Sequence, residues 1–406
     1  MKIGLIAYPT VCNFGANLQM LSTLEYFRKR DIDIEIINWL PLSLEGVYKR
    51  GTSEAQYKVH EEFRKKYYTM SRVCRTAEDV AKVIDDDNIT GVIVGSDAVA
   101  QHHPFLDRIV FPSRRIIRVQ SFSEDRMFPN VFWGTFQKYL TKEIPMAVLS
   151  ASCQNSPYKT FSKKIKDAML QYVKEYKYLS VRDEWTQQLY KYVSNGSIVP
   201  EVTPDPVFAF NYNVSYIPTK EEILNRFSLP PKYLLLSFNH KMRMSERWIK
   251  EFQELAHRYD YTCVALSYPN ILLFGNITDK VIETPLDPLD WYAIIKYSCG
   301  YIGNNMHPIV VSLHNDVPFF SFDNYGVTHL KMFCNRKSSK IYDILNRAGF
   351  PENRVNVTTL TAHIPKPQIV FEAIINFDKE KCKTFSLAWY EEYIKMMNRI
   401  LDALLK

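Results

Sequence analysis

The sequence predicts an α/β fold of two open, largely parallel sheets facing each other across a cleft. Three observations carry this. Apolar runs without clean alternation, such as "KIGLIAY" and "ITGVIVGSD", read as strands covered on both faces. Segments of helical spacing separate them. The same succession returns in the second half, and 406 residues exceed what one ordinary core organises. The expected division is residues 1–225, residues 226–380, and a C-terminal helix at 381–406 that packs over a domain or back across the hinge. Pro230 and Pro231 mark the boundary region, because paired prolines favour extended linkers.

Each element follows in order. "KIGLIAY" opens as a strand, and "NLQMLSTLEYFRKR" carries Leu18, Leu21 and Leu24 at helical spacing. "DIEIINW" is a strand, "EDVAKVID" a short helix and "ITGVIVGSD" a third strand. Residues 101–140 fit neither period and read as an insertion or irregular region. "PMAVLSAS", "KYLSVRD" and "SIVPEV" continue the strands, with the amphipathic "KKIKDAMLQYVKEY" between the first two. The second series runs "YLLLSFN", "YTCVALSY", "GYIGN" and "VPFFSFD" as strands. Its helices are "SERWIKEFQELAHRY", "DPLDWYAIIKYS" and "IVVSLHN". The closing "SLAWYEEYIKMMNRILDALL" places Leu387, Ile394, Met397, Leu401 and Leu404 on one side of a long helix.

Composition narrows the function classes. Hydrophobic residues at 46% and charged residues at 23% describe a globular core rather than a disordered chain. The net charge of +7 is diffuse and calls for no nucleic acid; an anionic substrate or an anionic lipid surface fits it. Seven scattered cysteines without a CxxC pair suit a reducing cytoplasm. "MKIGLIAYPT" is too short in its apolar run for a signal peptide, and no stretch approaches the roughly 20 apolar residues of a membrane span, so a soluble, cytoplasmic chain is expected. His102, His103 and His240 match no HExxH or zinc spacing, and no GxSxG or Cys–His signature is present; no metal is expected.

Ligands of open α/β sheets bind beyond the carboxyl ends of the strands, so residues there are the candidates. In "PTVCNFGANLQ", Gly15 permits a tight turn and Asn13 or Asn17 can cap a helix whose N-terminus suits phosphate or carboxylate. The loop is neither GxGxxG nor a Walker loop, and an ordinary strand–helix turn explains it equally well. "VIVGSDAV" ends on Asp97, a helix cap or a cleft base. "LSASCQNSP" offers Ser150, Ser152 and Cys153. Arg182 in "YLSVRDEW" has the planar fork that grips carboxylate or phosphate, or is a surface residue at a helix start. Asp205 in "TPDPVFAF" sits in a rigid turn, mainly structural, with a cleft role as the alternative. His307 follows a strand end in "YIGNNMHPIV", where it is a proton carrier or a structural cap.

Taken in order, "NFGANLQ", "VIVGSD", "LSASCQN", "LSVRDEWT", "PDPVF" and "GYIGNNMHPIVVSLHNDVPFFSFDNYGVTHLKMF" resemble the polysaccharide pyruvyl transferases, over roughly residues 3–333. The resemblance implies two Rossmann-like domains in a glycosyltransferase-B-like arrangement. It implies phosphoenolpyruvate as donor, no further cofactor, and a pyruvate ketal formed on a glycan or lipid-linked oligosaccharide. A lipid-linked acceptor would bring the chain to a membrane surface. His307 and Asp97 become the expected catalytic residues. Arg182, Asn13, Gly15, Asn305 and Lys331 become the expected donor-binding set. Two departures stand out: Asn305 occupies a position usually basic in the family, and "AVAQHH" replaces a Gln-Val-Trp stretch, where His102 or His103 could serve. Alternative readings are a glycosyltransferase using a nucleotide sugar and a non-catalytic glycan-binding relative with a degenerate donor site.

Overall fold

The computed structural model describes residues 1–113, 116–238, 244–267, 277–329 and 333–405. In the first half the strands are β1 (Lys2–Ile6), β2 (Asp33–Ile36), β3 (Gly91–Asp97), β4 (Ile109–Ser113), β5 (Ile116–Val119), β6 (Met146–Ala151), β7 (Tyr178–Val181) and β8 (Glu201–Val202). Six of them form a parallel sheet in the order β2-β1-β3-β6-β7-β8, while β4 and β5 make a separate antiparallel hairpin. The helices here are α1 (Phe14–Arg28), α2 (Glu54–Tyr67), α3 (Ala77–Asp86), α4 (Lys163–Val173), α5 (Glu184–Val193), α6 (Phe210–Asn213) and α7 (Lys220–Arg226).

The second half adds β9 (Tyr233–Ser237), β10 (Thr262–Leu266), β11 (Lys280–Ile282), β12 (Gly300–Gly303), β13 (Phe319–Asp323), β14 (Val327–His329), β15 (Phe333–Asn335) and β16 (Arg354–Asn356). Its parallel sheet runs β11-β10-β9-β12-β13-β16, with β14–β15 a small hairpin outside it. Its helices are α8 (Glu246–His257), α9 (Pro288–Lys296), α10 (Met306–His314), α11 (Lys340–Arg347), α12 (Pro367–Ile375) and α13 (Lys379–Leu405). None of the described helices is long and apolar enough to cross a membrane.

Burial on both faces explains the non-alternating strands. Ile93, Ala147 and Leu149 pack with α1 and α13, whereas Val92, Val94, Met146 and Val148 pack on the opposite side with α3, α4 and α5. Residues 101–140 are irregular, as the sequence indicates: a hairpin and short 3₁₀ turns. "SIVPEV" yields only the two-residue β8, since Pro200 has no N–H for the ladder. Leu387 is 48% exposed rather than on the buried side of α13. The start of that helix faces α10 through Cys382 and Ser386, whose side chains donate to the carbonyls of Leu313 (3.4 Å) and His314 (3.4 Å). Farther along, Tyr393, Met396, Met397, Ile400 and Leu404 turn under the first sheet.

Both sheets reverse their strand order at one place, between β1 and β3 and between β9 and β12, which opens a crevice at the carboxyl ends. The two crevices meet. Phe14, Leu18 and Leu21 of α1 share one core with Trp291 of α9 and Met306 and Ile309 of α10. The rings of Phe14 and Trp291 stack at 5.1 Å. Gln56 of α2 hooks the second half by donating to the Leu286 carbonyl (2.8 Å) and accepting from its N–H (2.7 Å).

Candidate active site

At the ends of β3 and β6 the backbone leaves regular geometry. Gly95 has φ 117°, and the non-glycine residues Asp97 (φ 76°) and Ser150 (φ 45°) take left-handed conformations. Such residues cost on the order of 1–3 kcal/mol each and persist where their surroundings hold them. Here the Ser152 N–H donates to the Asp97 carbonyl (2.8 Å), and the Ser150 hydroxyl donates to the Pro204 carbonyl (2.8 Å).

This geometry turns Asp97 toward Arg182, which follows β7 directly. The buried guanidinium bridges two carboxylates: Nη2 donates to Asp97 Oδ1 (3.1 Å) and Nη1 to Asp205 Oδ2 (2.8 Å). Gln19 of α1 donates to the same Asp205 oxygen (2.6 Å). Arg182 Nε and Gln19 Oε1 are buried without a partner. Burial pushes the Asp97 carboxyl up, but the Arg182 guanidinium, with Lys340 and His307 adding to it, holds it below the usual carboxylate range. The neighbouring Asp183 is spent on structure: it accepts from Thr186 N–H (2.8 Å) at the start of α5 and from the Ser152 hydroxyl (2.8 Å).

The second half contributes two helix starts. His307 lies in the first turn of α10, one residue after its beginning at Met306, so the helix starts earlier than the strand-end reading implies. Pro308 is tolerated there because first-turn N–H groups have no intrahelical acceptor. The imidazole is 6% exposed, and Nε2 has no partner. Burial lowers its pKa to about 4, against the opposing pull of Asp205 and Asp97, so it is neutral at physiological pH. Its ring seats on Gly15: a Cβ there would fall inside the imidazole. Gly15 lies within α1, with helical neighbours on both sides, so its role is close approach across the domain boundary rather than a tight turn.

Lys340, which the motifs did not flag, is the first residue of α11. Its ammonium lies 4.6 Å from the Tyr325 ring centroid and is buried. Burial first, and then the Arg182 charge, lower its pKa to about 8, while Asp97, Asp183 and Asp205 oppose the shift. The cap Ser339 donates to Asp323 Oδ2 (2.5 Å), which also accepts from Arg354 Nε (2.6 Å); this fixes where α11 begins. Asp343 on the same helix accepts the Glu184 N–H (3.3 Å) and stitches the halves together.

The remaining expected residues spread out. Asn13 caps α1, accepting from the Ala16 N–H (3.2 Å). Asn305 is the buried N-cap of α10, but its side chain does not close the cap. Lys331 lies outside the described residues. His102 accepts the Phe128 N–H (3.2 Å), and His103 pairs with Asp107 (2.6 Å) while stacking on Phe122 (4.1 Å); both belong to the irregular region. Among the described residues no group of His, Cys, Asp or Glu is arranged to hold a metal ion. A void of about 10 Å³, near the room of one water, lies beside Asp97 and Gln19.

Two doubly wound domains closed over a polar cluster at their strand ends form the glycosyltransferase-B architecture, and solved structures share it. The Staphylococcus aureus MnaA structure with UDP has a TM-score of 0.52 at 11% identity, covering 100% of this chain and 98% of that one. UDP-N-acetylglucosamine 2-epimerase from Rickettsia bellii gives 0.52 at 10% identity, covering 99% and 97%. A UGT transferase from Siraitia grosvenorii, solved with UDP, gives 0.50 at 12% identity, covering 100% of both chains. At these identities the likeness concerns the fold alone. No curated protein matches the sequence. The sequence model of one family does, polysaccharide pyruvyl transferase, over residues 13–325, and the chain belongs to that family. It is accordingly a transferase of polysaccharide biosynthesis with a polysaccharide acceptor.

Proposed function

We propose that this chain transfers the pyruvyl group of phosphoenolpyruvate to a hydroxyl pair of a saccharide, releasing phosphate and leaving a cyclic ketal. One observation carries the reading. A neutral imidazole with an unpartnered Nε2 is held across the domain boundary in the same buried cluster as two cations, Arg182 and Lys340.

Arg182, always protonated, holds the donor's negative charge with the N–H groups at the starts of α1 and α10. Lys340, whose pKa near 8 suits proton transfer at neutral pH, protonates the methylene carbon. The adjacent carbon becomes electrophilic. A sugar hydroxyl adds to it and gives its proton to His307 Nε2. The C–O bond to phosphate then breaks, phosphate leaves with the electron pair and takes the proton from His307, and the second hydroxyl closes the ketal, its proton passing to the neutral Lys340 amine and restoring the ammonium. Asp97, kept ionised beside Arg182, orients the acceptor hydroxyl. Asn305 brings no charge to α10, and Lys340 brings one from α11 instead. The void beside Asp97 cannot hold the donor, so binding requires the His307 ring to lift from Gly15 and the domains to part.

The test is phosphate release from phosphoenolpyruvate by the purified chain with and without glycan acceptors, with mass spectrometry of the acceptor. Acceptor-dependent release with a pyruvyl ketal on the glycan is expected. Consumption of a UDP-, GDP- or CMP-sugar in place of phosphoenolpyruvate would overturn the donor assignment.

A further inference from the structure

We propose that the cleft between α5 and the turn following β15 is the acceptor subsite, and that it takes a saccharide carrying a negative charge. This rests on the pyruvyl-transfer reading and adds to it the class of glycan.

The cleft measures about 520 Å³, within the range of small-ligand sites. Its aromatic wall is continuous: the Tyr158 ring lies 4.6 Å from Trp185 and 5.6 Å from Tyr192. Trp185 Nε1 donates to the Ser156 carbonyl (3.1 Å), so the polar edge of the indole is already satisfied. Tyr158 and Trp185 are themselves buried, so it is the half-buried Tyr192, backed by them, that is offered to the C–H face of a sugar ring. Gln188 supplies an amide for hydroxyl groups, and Asn335, whose Oδ1 accepts the Lys337 N–H (3.2 Å), keeps its NH₂ to donate. Lys159, Lys191 and Lys337 line the rim, and none forms an ion pair among the described residues. Three lysines against the single carboxylate of Glu184 leave the lining net positive, which selects a sugar bearing carboxylate or phosphate over a neutral one.

Position links the cleft to the chemistry. Glu184 on its wall lies two residues beyond Arg182, and its N–H donates to Asp343 of α11, the helix that begins with Lys340. Both domains contribute, Asn335 and Lys337 coming from the second. A saccharide bound here is therefore held only by the closed pair.

The test is tryptophan-fluorescence and saturation-transfer NMR titration of the full chain with a glucuronyl disaccharide, galactose 1-phosphate and lactose. At least one anionic sugar is expected to bind about tenfold tighter than lactose. The exposed double variant Lys191→Glu/Lys337→Glu is expected to abolish that preference while binding phosphoenolpyruvate as the wild type does. The anionic sugar preferred separates a carboxylate-bearing glycan from a phosphate-linked one. Equal binding of all three sugars, binding of none, or an unchanged preference in the double variant overturns the proposal. Charge-selective binding without pyruvyl transfer to any acceptor would leave the cleft standing and remove the donor reading. Transfer whose acceptor KM is unmoved in the double variant would do the reverse.

Discussion

The two domains contribute to the site in opposite ways. The first pairs the charges it brings: Arg182 sits between Asp97 and Asp205, and Gln19 completes the second carboxylate. The second sends in groups at helix starts whose protons burial has loosened, His307 from α10 and Lys340 from α11. In the proposed mechanism, charge holding and proton handling thus lie on opposite sides of one boundary, and only the closed pair of domains has both.

The largest effect expected to test this contrast comes from the first side. Arg182→Ala leaves the buried Asp205 and the half-buried Asp97 without their counter-charge, and should cost about 3–5 kcal/mol in chemical denaturation. A loss below about 1 kcal/mol would mean that the network does not organise the first domain. On the second side, His307→Ala should lower turnover about 10²–10⁴-fold with little change in donor affinity or melting temperature. An equal loss of stability in both variants would erase the distinction.

Gly15→Ala probes the boundary itself. Its methyl group would occupy the seat of the imidazole, so the domains should close less well, with a cost of about 1–3 kcal/mol and reduced turnover. Unchanged melting and activity would show that the seat is dispensable.

The smallest effects are those of pH. In the folded chain His307 takes a proton only near pH 4, whereas a free imidazole does so near 6.5, so between these values the unfolded chain binds more protons. Stability therefore falls as pH drops from 6.5 toward 4. His60 and His102, also lowered to about 4 by burial, act in the same direction. The His307→Asn variant should accordingly show a shallower decline than the wild type in urea titrations across this window. Turnover should fall above about pH 8 as Lys340 loses its proton, and Lys340→Met should remove that limb along with most of the activity.

The strands were legible in the sequence because burial on both faces writes continuous apolar runs, as in β3 and β6. Strand order was not, since it depends on which way each crossover returns. Arg182, Asp97 and His307 stand out in the sequence by their positions at strand ends and in family motifs, and in the structure they lie in one cluster. Gly15 looks like a turn residue in sequence because its partner, His307, is remote along the chain. Asp205 looks mainly like part of a rigid turn for the same reason: its bonds to Gln19 and Arg182 span the first domain. Lys340 left one local sign. In "SKIYDIL" a lysine opens a helix, where the positive end of the dipole disfavours it, and such a placement needs a reason from elsewhere in the fold.

The C-terminal helix α13 has a consequence during synthesis. The face of the first sheet that carries Ile93, Ala147 and Leu149 is covered by Tyr393, Met396, Met397, Ile400 and Leu404. In the chain these residues come after the whole second domain. The nascent N-terminal domain therefore emerges with an apolar face still open, and it waits for the whole second domain to be made before that face is shielded.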